Sequence, residues 1–379
     1  MLHVDQNDYY GGIDAGLSLD EAQRWVDRQN AHAGKNSSFT PKIGVDDLTD
    51  PAKAPLSSII RPGNTSDSLG PSRAYTVSLN PQIIYAKSRF LPTLVSSQLH
   101  TQLEFQAVGS FFILSDGRLQ KIPSNREDVF ADGTLSVRDK RKLMGLLRHV
   151  VDDQDEGLEP EHHPRNLQAR LQSQFNLPDS LIAPVQALTL STTRAADTSF
   201  DSAIARLKRH LMSMGYFGPG LAAVMAKYGG NSEVAQVACR AGAVGGFTYL
   251  LGFGLFSAVI PAAADGLVEV ELSDGTRVKT NHLVGTVDDL PLQLLSRLGN
   301  EKSAPSLLVV AHNISIISSP LRYLFRSSSE VGTIPAVAII LIDSSSNETP
   351  IYLQVHSEDT GECPADQCKS TAPSDTSFQ

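Results

Sequence analysis

"MLHVDQNDYYGG" (Met1–Gly12) reads as the end of a buried strand, Leu2-His3-Val4, closed by Asp5 and followed by a Gly11-Gly12 turn into a helical pattern. In a dinucleotide-binding fold an acidic residue closing the second strand holds a ribose, about 20 residues after a glycine-rich turn on the first strand. Here no such turn precedes it. Either Met1 starts something else, or the stretch is the second strand of a Rossmann unit whose first strand and glycine-rich turn are missing.

The other bounds are compositional. At 379 residues, with 41% apolar and 19% charged residues, the chain suits a globular protein of two or more parts. Its net charge of -9 disfavours a general nucleic-acid binder, which needs clustered Lys and Arg. Cys239, Cys363 and Cys368 do not make a disulfide framework, and a reducing cytosolic setting follows. Cys363 and Cys368 have no second ligand pair at metal spacing, so no metal is expected. His162-His163 reads as a solvated loop. No signal peptide is visible at the start. The apolar run Ala241–Ala264 is broken by glycines and runs into an alternating pattern, so it is expected as a buried helix plus strand, not a membrane span.

Residues 31–74 read as a loop insertion, rich in Ser, Pro, Asn, Asp and Gly. "SFFILSDGRLQKI" (Ser110–Ile122) and "VEVELSDGTRVKTNHLV" (Val268–Val284) are hairpin patterns around Ser-Asp-Gly. "SLLVVAHNISII", "AVAIILI" and "IYLQV" are strands, the second apolar throughout and expected to be buried on both faces. Between the hairpins lies helical spacing: Leu135, Val137, Leu143, Met144, Leu146, Leu147 and Val150, with Ser136 as N-cap. An α/β domain interrupted by an all-helical one follows. The expected parts are 1–127 and 216–362 for the α/β domain and 128–215 for the helices, with a disordered tail at 363–379. Starting at a second strand and stopping just after a buried strand, the chain is expected to be incomplete at both ends.

"MLHVDQNDYYGG" resembles the head of the Rab escort and GDP-dissociation-inhibitor family, whose fold resembles FAD-containing oxidases but serves Rab GTPases. "KYGGNSEVAQVACRAGAVGGFTYLL" (Lys227–Leu251) is similar to that family's Y-G-x-G-E-L-P-Q-x-F-x-R-x-x-A-x-x-G-G-x-Y segment. Tyr228, Gly229, Glu233, Gln236, Arg240, Ala243, Gly246, Thr248 and Tyr249 fall in register, while Ala235, Ala238 and Phe247 depart from it. "SDGRLQKIPSNREDVFADGTLSVRDKRKLM" (Ser115–Met144) resembles the escort branch, since the dissociation inhibitors lack the Phe at 130. The resemblance implies a FAD-binding-like, Rossmann-type discontinuous domain with an inserted helical domain, and no cofactor.

The resemblance also implies partners and sites. Tyr10, Glu233, Arg240 and Thr248 would bind GDP-loaded Rab, and Phe130 and Arg141 would engage Rab geranylgeranyltransferase. Met144, Leu147, Leu171, Phe175, Leu188 and Leu211 would line a groove for the geranylgeranyl lipid carried by Rab. The protein would be cytoplasmic, meeting membranes peripherally and transiently. Without the resemblance, Glu233 and Arg240 are two charges on one solvated helix face, Phe130 is a core residue, and the leucines are helix core. The alternatives are a Rab-recycling inhibitor, which lacks the transferase contacts, and a flavin-dependent amine-oxidase-like enzyme, which needs the glycine-rich turn.

Overall fold

The computed structural model describes residues 1–32, 69–115, 117–124, 126–131, 133, 135–152, 165–261, 266–286, 289–291, 294, 310–327, 332–342 and 349–375. The loop expected over 31–74 lies outside them except at its two ends, and His162 and His163 lie outside them as well.

The chain begins with β1 (Leu2–Asp5), β2 (Gly16–Leu17), α1 (Leu19–His32), β3 (Val77–Ser78), β4 (Ile84–Tyr85) and α2 (Phe90–Ser96). The hairpin β5 (Phe105–Ser115) and β6 (Arg118–Lys121) then leads into α3 (Arg126–Ala131), α4 (Val137–Asp152), α5 (Leu167–Ser173), α6 (Ile182–Thr189) and α7 (Phe200–Ser213). After these come β7 (Ala223–Ala226), α8 (Asn231–Val244), β8 (Thr248–Leu251), β9 (Leu255–Val259), β10 (Val268–Leu272) and β11 (Arg277–Thr280). The described elements close with β12 (Val310–Ile317), β13 (Val337–Ile342), β14 (Ile351–His356) and β15 (Cys368–Asp375).

The main sheet runs β12-β15-β14-β13-β5-β7-β4, with β6 paired to one end of β5. At its centre β13 lies parallel to β5, Val337 opposite Val108, and antiparallel to β14. The all-apolar sequence of β13 follows from this place. Val337, Ile339 and Leu341 enter the core on one face with Phe111, Ile113 and Met225, while Ala338 and Ile340 enter the core on the other with Phe112 and Leu324. Both expected hairpins form, β5 with β6 and β10 with β11. Elsewhere β1 pairs in parallel with β8, and β9-β10-β11 make a separate antiparallel ribbon.

Helices α3–α7 leave and rejoin the main sheet on the same strand, because β6 and β7 both pair with β5. Their core joins Leu146 and Val150 of α4, Leu167 and Leu171 of α5, and Ala203 and Leu207 of α7. Ser136 caps α4, its Oγ accepting from Asp139 N at 3.1 Å, and Asn166 Oδ1 caps α5 by accepting from Ala169 N at 2.8 Å.

Two expectations fail. The tail placed at 363–379 is not disordered over its described part: residues 368–375 are β15, which fills the sheet between β12 and β14. Its polar composition hid it, because backbone pairing on two sides orders a strand without an apolar face. The run Ala241–Ala264 does contribute a helix end and two strands, but they are largely exposed, with Val244 at 86% and Phe256 at 71%. Strand β8 has β1 on one side, and the end of α8 packs through Gly242 and Tyr249; Leu250, Leu255 and Ala258 join Val270 and Leu272 in a small core, while Leu251, Phe256 and Val259 stay outward. Among the described residues no helix is long and apolar enough to cross a membrane.

His210 of α7 is buried at the seam between helices and sheet, edge-on to Phe111 at 5.0 Å and 3.4 Å from the Tyr85 hydroxyl. Burial pushes its pKa down to about 4. An unfolded histidine takes up a proton near pH 6.5 while the folded one does not, so its stabilising contribution is complete above that pH and lost as pH falls towards 4. The loss is on the order of 3 kcal/mol. Chemical denaturation from pH 7 to 4 should show that His210→Gln lessens the fall in stability.

Candidate functional site

Strand β1, helix α8 and strand β8 make one face. The parallel pairing of β1 with β8 sets His3 opposite Tyr249, and Thr248 N donates to the Met1 carbonyl at 3.0 Å. Tyr10 comes back over this pair, its ring 5.7 Å from Tyr249 and 5.2 Å from His3. Burial, and Cys239 of α8 beside it, push the Tyr249 phenol above its usual range. A side chain at Gly242 would collide with the Tyr249 hydroxyl, at 2.3 Å, and the Phe247 ring, at 2.7 Å, so glycine is what lets β8 fold back against the helix.

Tyr10 is therefore a half-buried aromatic whose phenol burial keeps protonated, and Thr248 is exposed beside it. Arg240 projects into solvent from α8, whereas Glu233, in the first turn of that helix, is half-buried. No ion pair joins Glu233 to Arg240 among the described residues, so the two charges do not serve each other. The face offers a cation, an acid, a hydroxyl and an aromatic at separate points, beside the exposed Val244, Phe247 and Leu251.

A second cluster lies on the helices. In α3 it is Val129 that enters the core, while Phe130 is 55% exposed. The reading of Phe130 as a core residue is corrected accordingly: the six-residue helix has room to bury one of two adjacent apolar side chains. Lys140 Nζ donates to the Phe130 carbonyl at 2.8 Å, tying the end of α3 to α4, where Arg141 is exposed.

The six residues expected to line a lipid groove are not alike. Leu171 is fully buried in the helical core, so its place on a groove wall is corrected. Phe175, Leu188 and Leu211 are half-buried against that core, and Leu188 also packs on the main sheet. Met144 and Leu147, on α4, are half-buried. Cys363 and Cys368 are buried thiols pushed up by that burial to about 11 and about 12, which keeps them neutral.

A model of the GDP dissociation inhibitor family matches residues 54–336. The chain belongs to that family. It is 31% identical over 259 residues to the Rab proteins geranylgeranyltransferase component A of Saccharomyces cerevisiae, an alignment covering 68% of this chain and 40% of that protein. The chain thus spans about two-fifths of the length of that relative. Among solved structures, a Rab GDI from Plasmodium falciparum matches 100% of this chain and 77% of its own with a TM-score of 0.61 at 16% identity. An oxidoreductase from Methanosarcina mazei matches 80% of this chain and 69% of its own with a TM-score of 0.51 at 10% identity. The pair supports an α/β fold of the kind seen in both structures.

Sequence reasoning missed three things in this family member. Val244, Phe247 and Phe256 are exposed apolar residues, for which no spacing signal exists in a run apolar on all sides. The cluster His356, Glu362 and Lys369 is buried although all three are polar. The conformation of Tyr228, φ 67°, is left-handed, and only its two glycine neighbours hinted at it.

Exposure separates the two helical residues energetically. Phe130→Ala should change unfolding free energy by less than about 1 kcal/mol, as exposed substitutions do. Leu171→Ala should cost roughly 2–5 kcal/mol, the usual range for a leucine cavity. Urea denaturation of both variants checks this, and a large loss for Phe130→Ala would restore the core reading.

Proposed function

We propose that this chain acts as a Rab escort protein: it binds GDP-loaded Rab, presents it to Rab geranylgeranyltransferase, and chaperones the prenylated product to membranes. It is a non-catalytic accessory component in this reading, cytoplasmic and only transiently at membranes. The face of Tyr10, Glu233, Arg240 and Thr248 is the Rab platform. Phe130 and Arg141 are the transferase contact. The helices between residues 128 and 215 take the lipid, with Met144, Leu147, Phe175, Leu188 and Leu211 as wall residues.

The observation that carries the escort reading is Phe130. An aromatic ring exposed beside a buried valine, with its backbone tied down by Lys140 and an exposed arginine on the next helix, is a preorganised anchor for a small interface. The recycling alternative has no use for such an anchor. For the lipid, about 0.8 kcal/mol per buried CH₂ is enough for a groove between partly packed helices to compete with a bilayer for a prenyl chain. Leu171 would become a wall residue only if the helices parted.

Two measurements test this. Arg240→Glu should weaken binding of GDP-loaded Rab by roughly 2 kcal/mol or more, about thirtyfold, with the fold unchanged by circular dichroism. Phe130→Ala should abolish pull-down of the transferase and Rab prenylation while leaving Rab binding intact. If the unmutated protein binds Rab but neither binds the transferase nor supports prenylation, the recycling inhibitor is the better assignment.

A further inference from the structure

Beneath the proposed Rab platform lies a knot of charge with no access to water. His356 ends β14, Lys369 lies near the start of β15, and Glu362 sits in the loop between them, each at most 1% exposed. The Glu362 carboxylate spans the other two, one oxygen on His356 Nδ1 and the other on Lys369 Nζ. The second oxygen is also 2.9 Å from Ser78 Oγ on β3, and Lys369 Nζ donates to the Thr76 carbonyl at 3.3 Å. Burial works against the charge on Glu362, but its bonds to His356 and Lys369 hold it below the usual carboxylate range.

The knot reaches the platform through one turn. Ser78 Oγ lies 2.9 Å from the Gly229 carbonyl as well as from Glu362; its single proton serves both acceptors in alternation, and Ser232 Oγ donates to Gly229 at 3.0 Å beside it. Tyr228 N donates to the Thr360 carbonyl at 2.8 Å, and Thr76 N donates to the Glu362 carbonyl at 3.0 Å. Gly361 has no Cβ where one would stand 2.5 Å from the Tyr228 ring. Three successive residues of this turn, Tyr228, Gly229 and Gly230, have positive φ, and α8 begins directly after them. A tyrosine in that conformation stays there only when its surroundings hold it.

We infer that Glu362, clamped between His356 and Lys369, is a positioning residue for the Rab platform: it locks the Tyr228–Gly230 turn and so fixes the start of α8, which carries Glu233 and Arg240. Packing alone would be served as well by an apolar trio of the same volume, since buried ion pairs seldom add net stability. What the ions supply is direction, each bond aiming one strand or turn at another. The inference rests on the Rab reading of the α8 face for its functional consequence, though not for its structural one.

The test uses the whole protein with Glu362→Gln and Lys369→Met combined, so that both charges leave together and neither is stranded, alongside Glu362→Gln alone and Arg240→Glu. Hydrogen exchange is followed at residues 228–237 and, for comparison, in α4 and α7, and affinity is measured for GDP-loaded Rab. The double variant should keep its circular dichroism spectrum and the protection of α4 and α7. Its amides at 228–237 should exchange at least about tenfold faster, and its Rab affinity should fall at least about tenfold. Unchanged exchange at 228–237, or equal loss of protection everywhere, would overturn the inference, as would Rab affinity within about twofold of the unmutated protein when Arg240→Glu loses it. If the unmutated protein binds no Rab, the Rab reading fails instead, and the exchange result alone decides whether Glu362 positions the turn. Should Glu362→Gln fail to fold, the double variant carries the same comparison.

Discussion

The parallel pairing of β5 with β13 is the constraint on which the rest depends. Strand β5 is paired at one end with β6 and at the other with β7, and β13 runs along its opposite edge. The chain leaves the sheet for the helices from beside this strand and comes back to it. Because exit and return are both tied to β5, the helical core can be complete in itself, with Leu146, Leu167, Leu171 and Leu207 in mutual contact, and still be held in place against the sheet. The seam is sealed by mixed chemistry: Leu188 belongs to both cores, and His210 is wedged between Tyr85 and Phe111.

Polarity is partly inverted in this molecule, and some of the inversions fall at places that carry a proposed role. Charge is buried at Glu362 and Lys369, with His356 on the same carboxylate, under the turn that starts α8. Apolar surface is exposed at Phe130 on the helices and around β8 and β9. Burying ions costs desolvation that only well-aimed partners offset, and exposing aromatics gives up burial of roughly 25 cal/mol per Å². Neither arrangement is what stability alone would select, so each marks a place where geometry or contact matters more than the energy of the isolated fold.

Much of this was readable in the residues themselves. Alternation around Ser-Asp-Gly specified both hairpins, an all-apolar strand specified β13 as a buried one, and helical spacing after Ser136 specified α4, because each of these depends on neighbours within one element. The strand at Leu2–Asp5 and the segment at 227–251 were legible by resemblance, and they pointed to the family that the match over residues 54–336 establishes. The order of β15 was not legible, since a polar strand is set by the backbone partners β12 and β14 and not by its own side chains. Nor could sequence choose between Val129 and Phe130 for the core, or tell that Leu171 lies inside while Phe175 lies at the edge, because adjacent apolar residues differ only in which way the packed helix turns. Local pattern determined the elements and their faces; long-range contact alone decided which charges went inside, which aromatics stayed out, and how the loop between the strands following residue 350 came to hold the turn from which a helix starts at residue 231.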